Sequence, residues 1–179
     1  MFKKTLWLFL LLVNLGFSQS SNDLAIANKL INKVTINKDN LSTLNFTLYT
    51  VSNINLKEQK LMYEVIEYLG TPYKYGGMTK LGIDCSAFTQ TVFWLAFNET
   101  LPRTAQEQYN EGIAIDKDSL KYGDLIFFKT SRRKYVGHVG IYLDSNKFVH
   151  SGCKEGVSIA SLEETYYSEH YLGAKRILK

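Results

Sequence analysis

From Lys57 to Leu69 the apolar residues Leu61, Val65, Tyr68 and Leu69 recur at helical spacing, which predicts an amphipathic helix stopped by Gly70 and Pro72. Thr71 to Gly82 then reads as a loop with three glycines. Asp84 is placed to cap a second helix, with Cys85 at the first helical position and Ala87, Phe88, Val92, Leu95 and Ala96 facing inward. Asn98 to Arg103 turns the chain, and Thr104-Ala105-Gln106-Glu107 has the form of a capping box opening a further short helix. Beyond Gly112 the pattern changes to short β-rich runs at Leu125 to Lys129, Val136 to Leu143, Lys147 to Ser151, Val157 to Ser161 and Ala174 to Leu178, separated by Gly, Asp, Asn and Ser turns. Helices first and antiparallel strands afterwards predict an α+β fold, its N-terminal helices packed on an antiparallel sheet.

The beginning of the chain has a different character. Met1-Phe2-Lys3-Lys4, the unbroken apolar run Leu6 to Val13 and Gly16-Phe17-Ser18-Gln19 match the charged, apolar and small-residue zones of a secretory signal. The run is shorter than the about 18 to 20 apolar residues wanted for a membrane span. Cys85 is the first cysteine, so no thiol near that junction is available for a lipid anchor. The expectation is an exported product, periplasmic or extracellular, without a stable membrane anchor and monomeric. Residues 1–18 are then the signal, 19–55 a polar linker or N-terminal arm, and 56–179 the folded domain.

A chain that is 45% hydrophobic with only 2 Pro suits one globular domain with a real core. Its formal charge is +4, and the two lysines of residues 1–18, which contain no acids, supply half of that. Such a mild excess argues against nucleic acid as a partner. The one basic run, Arg132-Arg133-Lys134, reads as a solvated hairpin tip.

Cys85 is the centre of the candidate chemistry. A thiol attacks as thiolate, and a helix N-terminus with a nearby imidazole are the two devices that lower its pKa. The competing reading is a buried small hydrophobe at a helix start. Two cysteines in an exported protein also permit a disulfide, but one bridge adds little framework to a domain of this size, and Cys153 in Ser151-Gly152-Cys153-Lys154-Glu155-Gly156 reads as a free surface thiol. His138, in Gly137-His138-Val139-Gly140-Ile141-Tyr142, is a candidate general base on a strand with small neighbours. If the next two runs form a hairpin through Asp144-Ser145-Asn146, His150 becomes its cross-strand neighbour and can orient the base. His170 has no comparable setting and reads as a surface residue. Zinc on Cys85, His138 and His150 is the rival, but the chain lacks the close paired-ligand spacings of zinc motifs. No metal or cofactor is expected.

These segments resemble, in order and spacing, the blocks of the NlpC-type cell-wall cysteine peptidases, the NlpC/P-sixty superfamily. The matching blocks are Gly70-Thr71-Pro72-Tyr73-Lys74-Tyr75-Gly76-Gly77, Asp84-Cys85-Ser86, Leu101-Pro102-Arg103, Gly123-Asp124-Leu125, Gly137 to Tyr142 and Phe148-Val149-His150. The likeness covers about residues 58 to 178, and the form Gly-Ile-Asp-Cys-Ser is similar to the Spr-type murein endopeptidases. The resemblance implies a compact papain-like fold and hydrolysis of peptide bonds in peptidoglycan stem peptides or cross-links. It implies Cys85 as nucleophile, His138 as base and His150 as its partner, with Tyr73 beside the thiol in the oxyanion site. Asp84, Ser86 and Arg103 match positions that meet substrate in some members. Ala87 stands where the family usually has glycine, which leaves subsite preference open. The alternatives are a catalytically weak wall-binding protein of the same fold, and an amidase or lytic effector against another cell's wall.

Overall fold

The apolar stripe Leu61, Met62, Val65 and Ile66 is what makes the first helix: these four side chains are buried, whereas Leu69, expected to face inward, lies past the helix end and is exposed. In the computed structural model, which describes residues 56–129 and 135–178, this helix is α1, Leu56–Tyr68. A compact unit spans Lys60–Lys179. The signal and arm assigned to residues 1–55, and the Arg132–Lys134 run, lie outside the described residues.

The glycine loop after α1 is partly ordered as a small hairpin, β1 (Met78–Thr79) with β2 (Gly82–Ile83). Gly77 and Gly82 make this possible: a Cβ on Gly77 would stand 2.4 Å from the Gly82 carbonyl oxygen. Helix α2, Cys85–Phe97, follows at once. Its expected inner face needs one correction, because Leu95 and Trp94 are half-exposed while Phe93 is fully buried with Phe88 and Val92. Helix α3, Ala105–Gln108, has the expected capping box between Thr104 and Glu107.

The remaining strands are β3 (Ile113–Ile115), β4 (Leu125–Lys129), β5 (Val136–Asp144), β6 (Lys147–Gly152), β7 (Gly156–Ser161) and β8 (Tyr171–Arg176). They form one antiparallel sheet in the order β3-β8-β4-β5-β6-β7. The α+β expectation therefore holds. β4 lies inside the sheet, and Leu125 to Phe128 are all buried because both faces are covered. On one face Ile126, Phe128, Tyr142, Phe148, Leu162 and Ala174 form a cluster. Alternation turns Leu125 and Phe127 to the other face, where the Phe127 ring meets Tyr109 at the end of α3, 5.1 Å between centroids.

Besides the β1–β2 hairpin, elements beyond the expected set include β3 and a short helix α4, Thr165–His170, leading directly into β8. The last strand also begins three residues earlier than the apolar run at Ala174 suggested, because pairing with β4 extends to Tyr171. The β5–β6 turn has Ser145 and Asn146 at φ of 49° and 59°, the left-handed region that tight hairpins demand.

Candidate active site

Three tethers fix the backbone around Cys85. Ile83 pairs with Tyr73 in a parallel bridge, its amide donating to the Pro72 carbonyl at 3.0 Å and its carbonyl accepting from Lys74 at 3.3 Å. The Ile83 carbonyl also accepts from the Ser151 hydroxyl at 2.8 Å, so the segment before the thiol is tied to the strand that carries His150. Asp84, the N-cap of α2, then accepts from the Ala87 amide at 2.8 Å.

Asp84 does more than cap. Its two oxygens also accept from Ser86 Oγ at 3.2 Å, the Gly76 amide at 3.0 Å, and Arg103 at 3.0 and 2.6 Å. Burial alone raises its pKa, but the hydrogen bonds from Arg103 and Ala87 and the Arg103 charge hold the carboxyl below its ordinary range. The five donors occupy the lone pairs of the carboxylate, so a ligand can reach it only by displacing one of them. Arg103 also donates to Ser86 Oγ at 3.1 Å. Its side chain keeps 35% of its surface exposed, which makes the guanidinium the reachable part of the group.

Cys85 is a free, buried thiol at the first position of α2. The backbone amides of Val139, Ser86 and Cys85 itself favour the thiolate. These lower its pKa, yet burial outweighs them, and the Asp84 charge adds to burial, so the thiol is pushed up to about 11. A helix terminus contributes only about half a charge, set here against the cost of removing a thiolate from water.

His138 precedes Val139 on β5, the strand whose Val139 amide favours the Cys85 thiolate. Counted from the Ile141–Val149 pair, His138 and His150 are offset by two positions, the diagonal relation across β5 and β6. His138 Nε2 lies 2.9 Å from His150 Nδ1, with the rings near perpendicular at 89°. The His138 residue is half-buried at the strand margin while its ring lies deep. Burial, and then the neighbouring His150, pull its pKa down to about 3, and burial pulls His150 down to about 4. Burial thus disfavours the charged form of each of these three groups. Since His138 Nε2 is committed to His150, Nδ1 is the nitrogen left for the thiol.

Sequence reasoning missed the next link. Tyr167, on α4, places its hydroxyl 3.1 Å from His150 Nε2. Nothing in the acidic, tyrosine-rich stretch around it distinguishes this tyrosine from Tyr166, which is exposed. Gly152 was equally silent: an added Cβ would stand 2.6 Å from His150 Cε1. Cys153 is exposed as expected and lies close enough to Tyr73 to influence its phenol. Burial first, then the charges of Cys85, Cys153 and Asp84, raise the Tyr73 phenol, so it stays a proton donor. His170 is occupied locally, its Nδ1 2.7 Å from the Tyr166 carbonyl. Among the described residues, no three His, Cys, Asp or Glu side chains are grouped to hold a metal ion.

The chain is similar to known proteins over more than half of its length. The sequence model of the NlpC/P60 family matches residues 70–176. The chain is 40% identical over 160 residues to the probable endopeptidase NlpC homolog of Haemophilus influenzae, covering 89% of this chain and 84% of that protein. It is 38% identical over 128 residues to murein DD-endopeptidase MepS/murein LD-carboxypeptidase of Escherichia coli, covering 72% of this chain and 66% of that one. Among solved structures, an NlpC/P60 family protein from Bacillus cereus superposes with a TM-score of 0.63 at 36% identity, covering 68% of this chain and 40% of that chain.

Proposed function

The chain belongs to the NlpC/P60 family, and from that premise we propose that it is a thiol endopeptidase that cleaves peptide bonds in peptidoglycan stem peptides or cross-links. The observation that carries the reading is a buried Cys85 at a helix N-terminus together with His138 and His150 linked at 2.9 Å.

In this reading Sγ of Cys85 attacks the carbonyl carbon while its proton passes to His138 Nδ1. The resting thiol and neutral imidazole suit general-base activation at the moment of attack. The developing oxyanion is held by donors at the start of α2 and by the Tyr73 hydroxyl, which its raised pKa keeps protonated. His138 then gives its proton to the leaving amine, leaving a thioester. Water attacks the thioester with His138 again as base, and the carboxylic acid leaves as Cys85 regains its proton. His150 holds the His138 ring throughout. Arg103, aligned by Asp84 and Ser86, offers a cation to a carboxylate of the peptide.

Substrate and relatives' names both support action at the cell wall, in the periplasm or outside the cell, for remodelling. No helix among the described residues is long and apolar enough to cross a membrane. The test is mass spectrometry of a defined cross-linked muropeptide after incubation with the purified chain. A paired new amine and carboxylate are expected, at a bond the fragment masses identify, and none with Cys85→Ala. Equal cleavage by that variant overturns the mechanism.

A further inference from the structure

We propose that Tyr167 is a positioning residue of the thiol site: its hydroxyl accepts a hydrogen bond from His150 Nε2–H and so sets the tautomers of both histidines. The inference rests on the catalytic reading above and extends it by one residue outward.

A neutral imidazole carries a single proton, so each ring donates from one nitrogen and accepts at the other. For two neutral rings joined through His138 Nε2 and His150 Nδ1, only two arrangements are consistent. In the first, His138 Nε2–H donates to His150 Nδ1, His150 Nε2–H donates to the Tyr167 oxygen, and His138 Nδ1 keeps a lone pair for the thiol proton. In the second, Tyr167 O–H donates to His150 Nε2, His150 Nδ1–H donates to His138, and His138 Nδ1 already bears a proton. The second arrangement has no base facing Cys85. The link between His150 and Tyr167 therefore decides whether a base exists at the other ring, whose centroid lies 5.0 Å from that of His150.

A phenol can donate or accept, so its surroundings choose. Tyr167 feels the negative charges of Glu164 and Glu155, both exposed side chains. Negative charge beyond the hydroxyl draws every proton in the relay one link outward. The phenol proton turns away from His150, the His150 proton sits on Nε2, and the His138 proton sits on Nε2. That is the first arrangement. Burial, with these charges, pushes the phenol up to about 12, so the hydroxyl stays neutral and the chain of donors intact. The ring itself is held by packing, its centroid 4.9 Å from Phe148 and 5.4 Å from both Phe128 and His150.

Tyr167→Phe keeps that packing and removes only the oxygen. On a cross-linked muropeptide, kcat is expected to fall on the order of tenfold to a hundredfold with KM unchanged. That is below the roughly ten-thousandfold cost of a wholly wrong tautomer in the serine-protease triad, because the hydroxyl biases the proton rather than forbidding its other site. In nitrogen NMR of histidine-labelled full chain, the wild type is expected to show His150 protonated at Nε2 alone, and the variant a mixture of tautomers. An unchanged kcat, a change confined to KM, or the same single tautomer in both proteins overturns the proposal. Failure of the peptidase reading looks different: the wild type leaves the muropeptide intact, while the nitrogen spectra still report whether Tyr167 sets the relay.

Discussion

Gly152→Ala tests how tightly the site is built. Gly152 lies in β6 opposite Gly156 of β7, and its φ is outside the left-handed region, so alanine meets no backbone strain. The cost is steric. The new Cβ would stand 2.6 Å from His150 Cε1 and 3.2 Å from Nδ1, against an ordinary carbon–carbon separation of roughly 3.5–4.0 Å. About 1 Å of overlap must be relieved, and the ladder to β7 holds the backbone. The His150 ring is also held, by His138 at 2.9 Å, Tyr167 at 3.1 Å and the Phe148 ring at 5.1 Å. A ring displaced by about that amount stretches the His138 link beyond hydrogen-bond range. Misplacement of about 1 Å in a catalytic group costs on the order of a hundredfold, and overpacking costs about 1–3 kcal/mol of stability. The assay is kcat on a defined muropeptide beside urea unfolding of the same samples. Wild-type kcat in the variant refutes the geometry, and so does a loss of activity fully explained by the unfolded fraction.

Two further outcomes follow from buried charge. Both histidines have folded pKa values, about 3 and about 4, below the ordinary 6.5, so below pH 6.5 the unfolded chain binds protons that the native site refuses. Their contribution is complete above pH 6.5 and is lost as pH falls toward those values, with a slope of up to about 2.7 kcal/mol per pH unit from the two together. Urea midpoints measured from pH 8 to pH 4 are expected to drop below pH 6.5, with His150→Gln showing about half the slope; a flat midpoint down to pH 5 contradicts this. At Asp84, asparagine retains the helix cap and loses the charge opposed to Arg103, whereas alanine loses both. Asp84→Ala is expected to be less stable than Asp84→Asn by about 1 kcal/mol, with both below wild type. Since the Asp84 carboxyl is held below 3.8, its contribution is present above that pH and lost as pH falls through the folded value. Equal stability of the two variants by urea unfolding removes the cap from the account.

Local rules determined much of this protein. Helical spacing located α1, Asp84 and the Thr104–Glu107 box marked two helix starts, and β-rich runs between turn residues located the four strands β4 to β7. Each is a short-range signal: a period, a cap or a turn, written within a few residues. The inner face of α2 was read less well, since Phe93 is buried and Leu95 exposed. Which of two adjacent apolar residues turns inward depends on where the sheet lies, and the helical period alone does not say. Cys85, His138 and His150 were likewise legible as types in suitable local settings.

What only the tertiary structure decided is everything that depends on approach between distant segments. The Ser151 bond to Ile83 spans 68 positions and ties the thiol segment to the histidine strand. Tyr167 reaches His150 across 17, from a helix too short to announce itself by period. The surroundings of the thiol were decided in the same way. Its helix end is visible in the sequence and lowers the pKa, while the burial that raises it to about 11 exists only once the sheet has closed over Cys85. Sequence named the candidate reacting groups because their identities are local. Their protonation, tautomers and partners belong to the fold, because desolvation and hydrogen bonding are set by what surrounds a group.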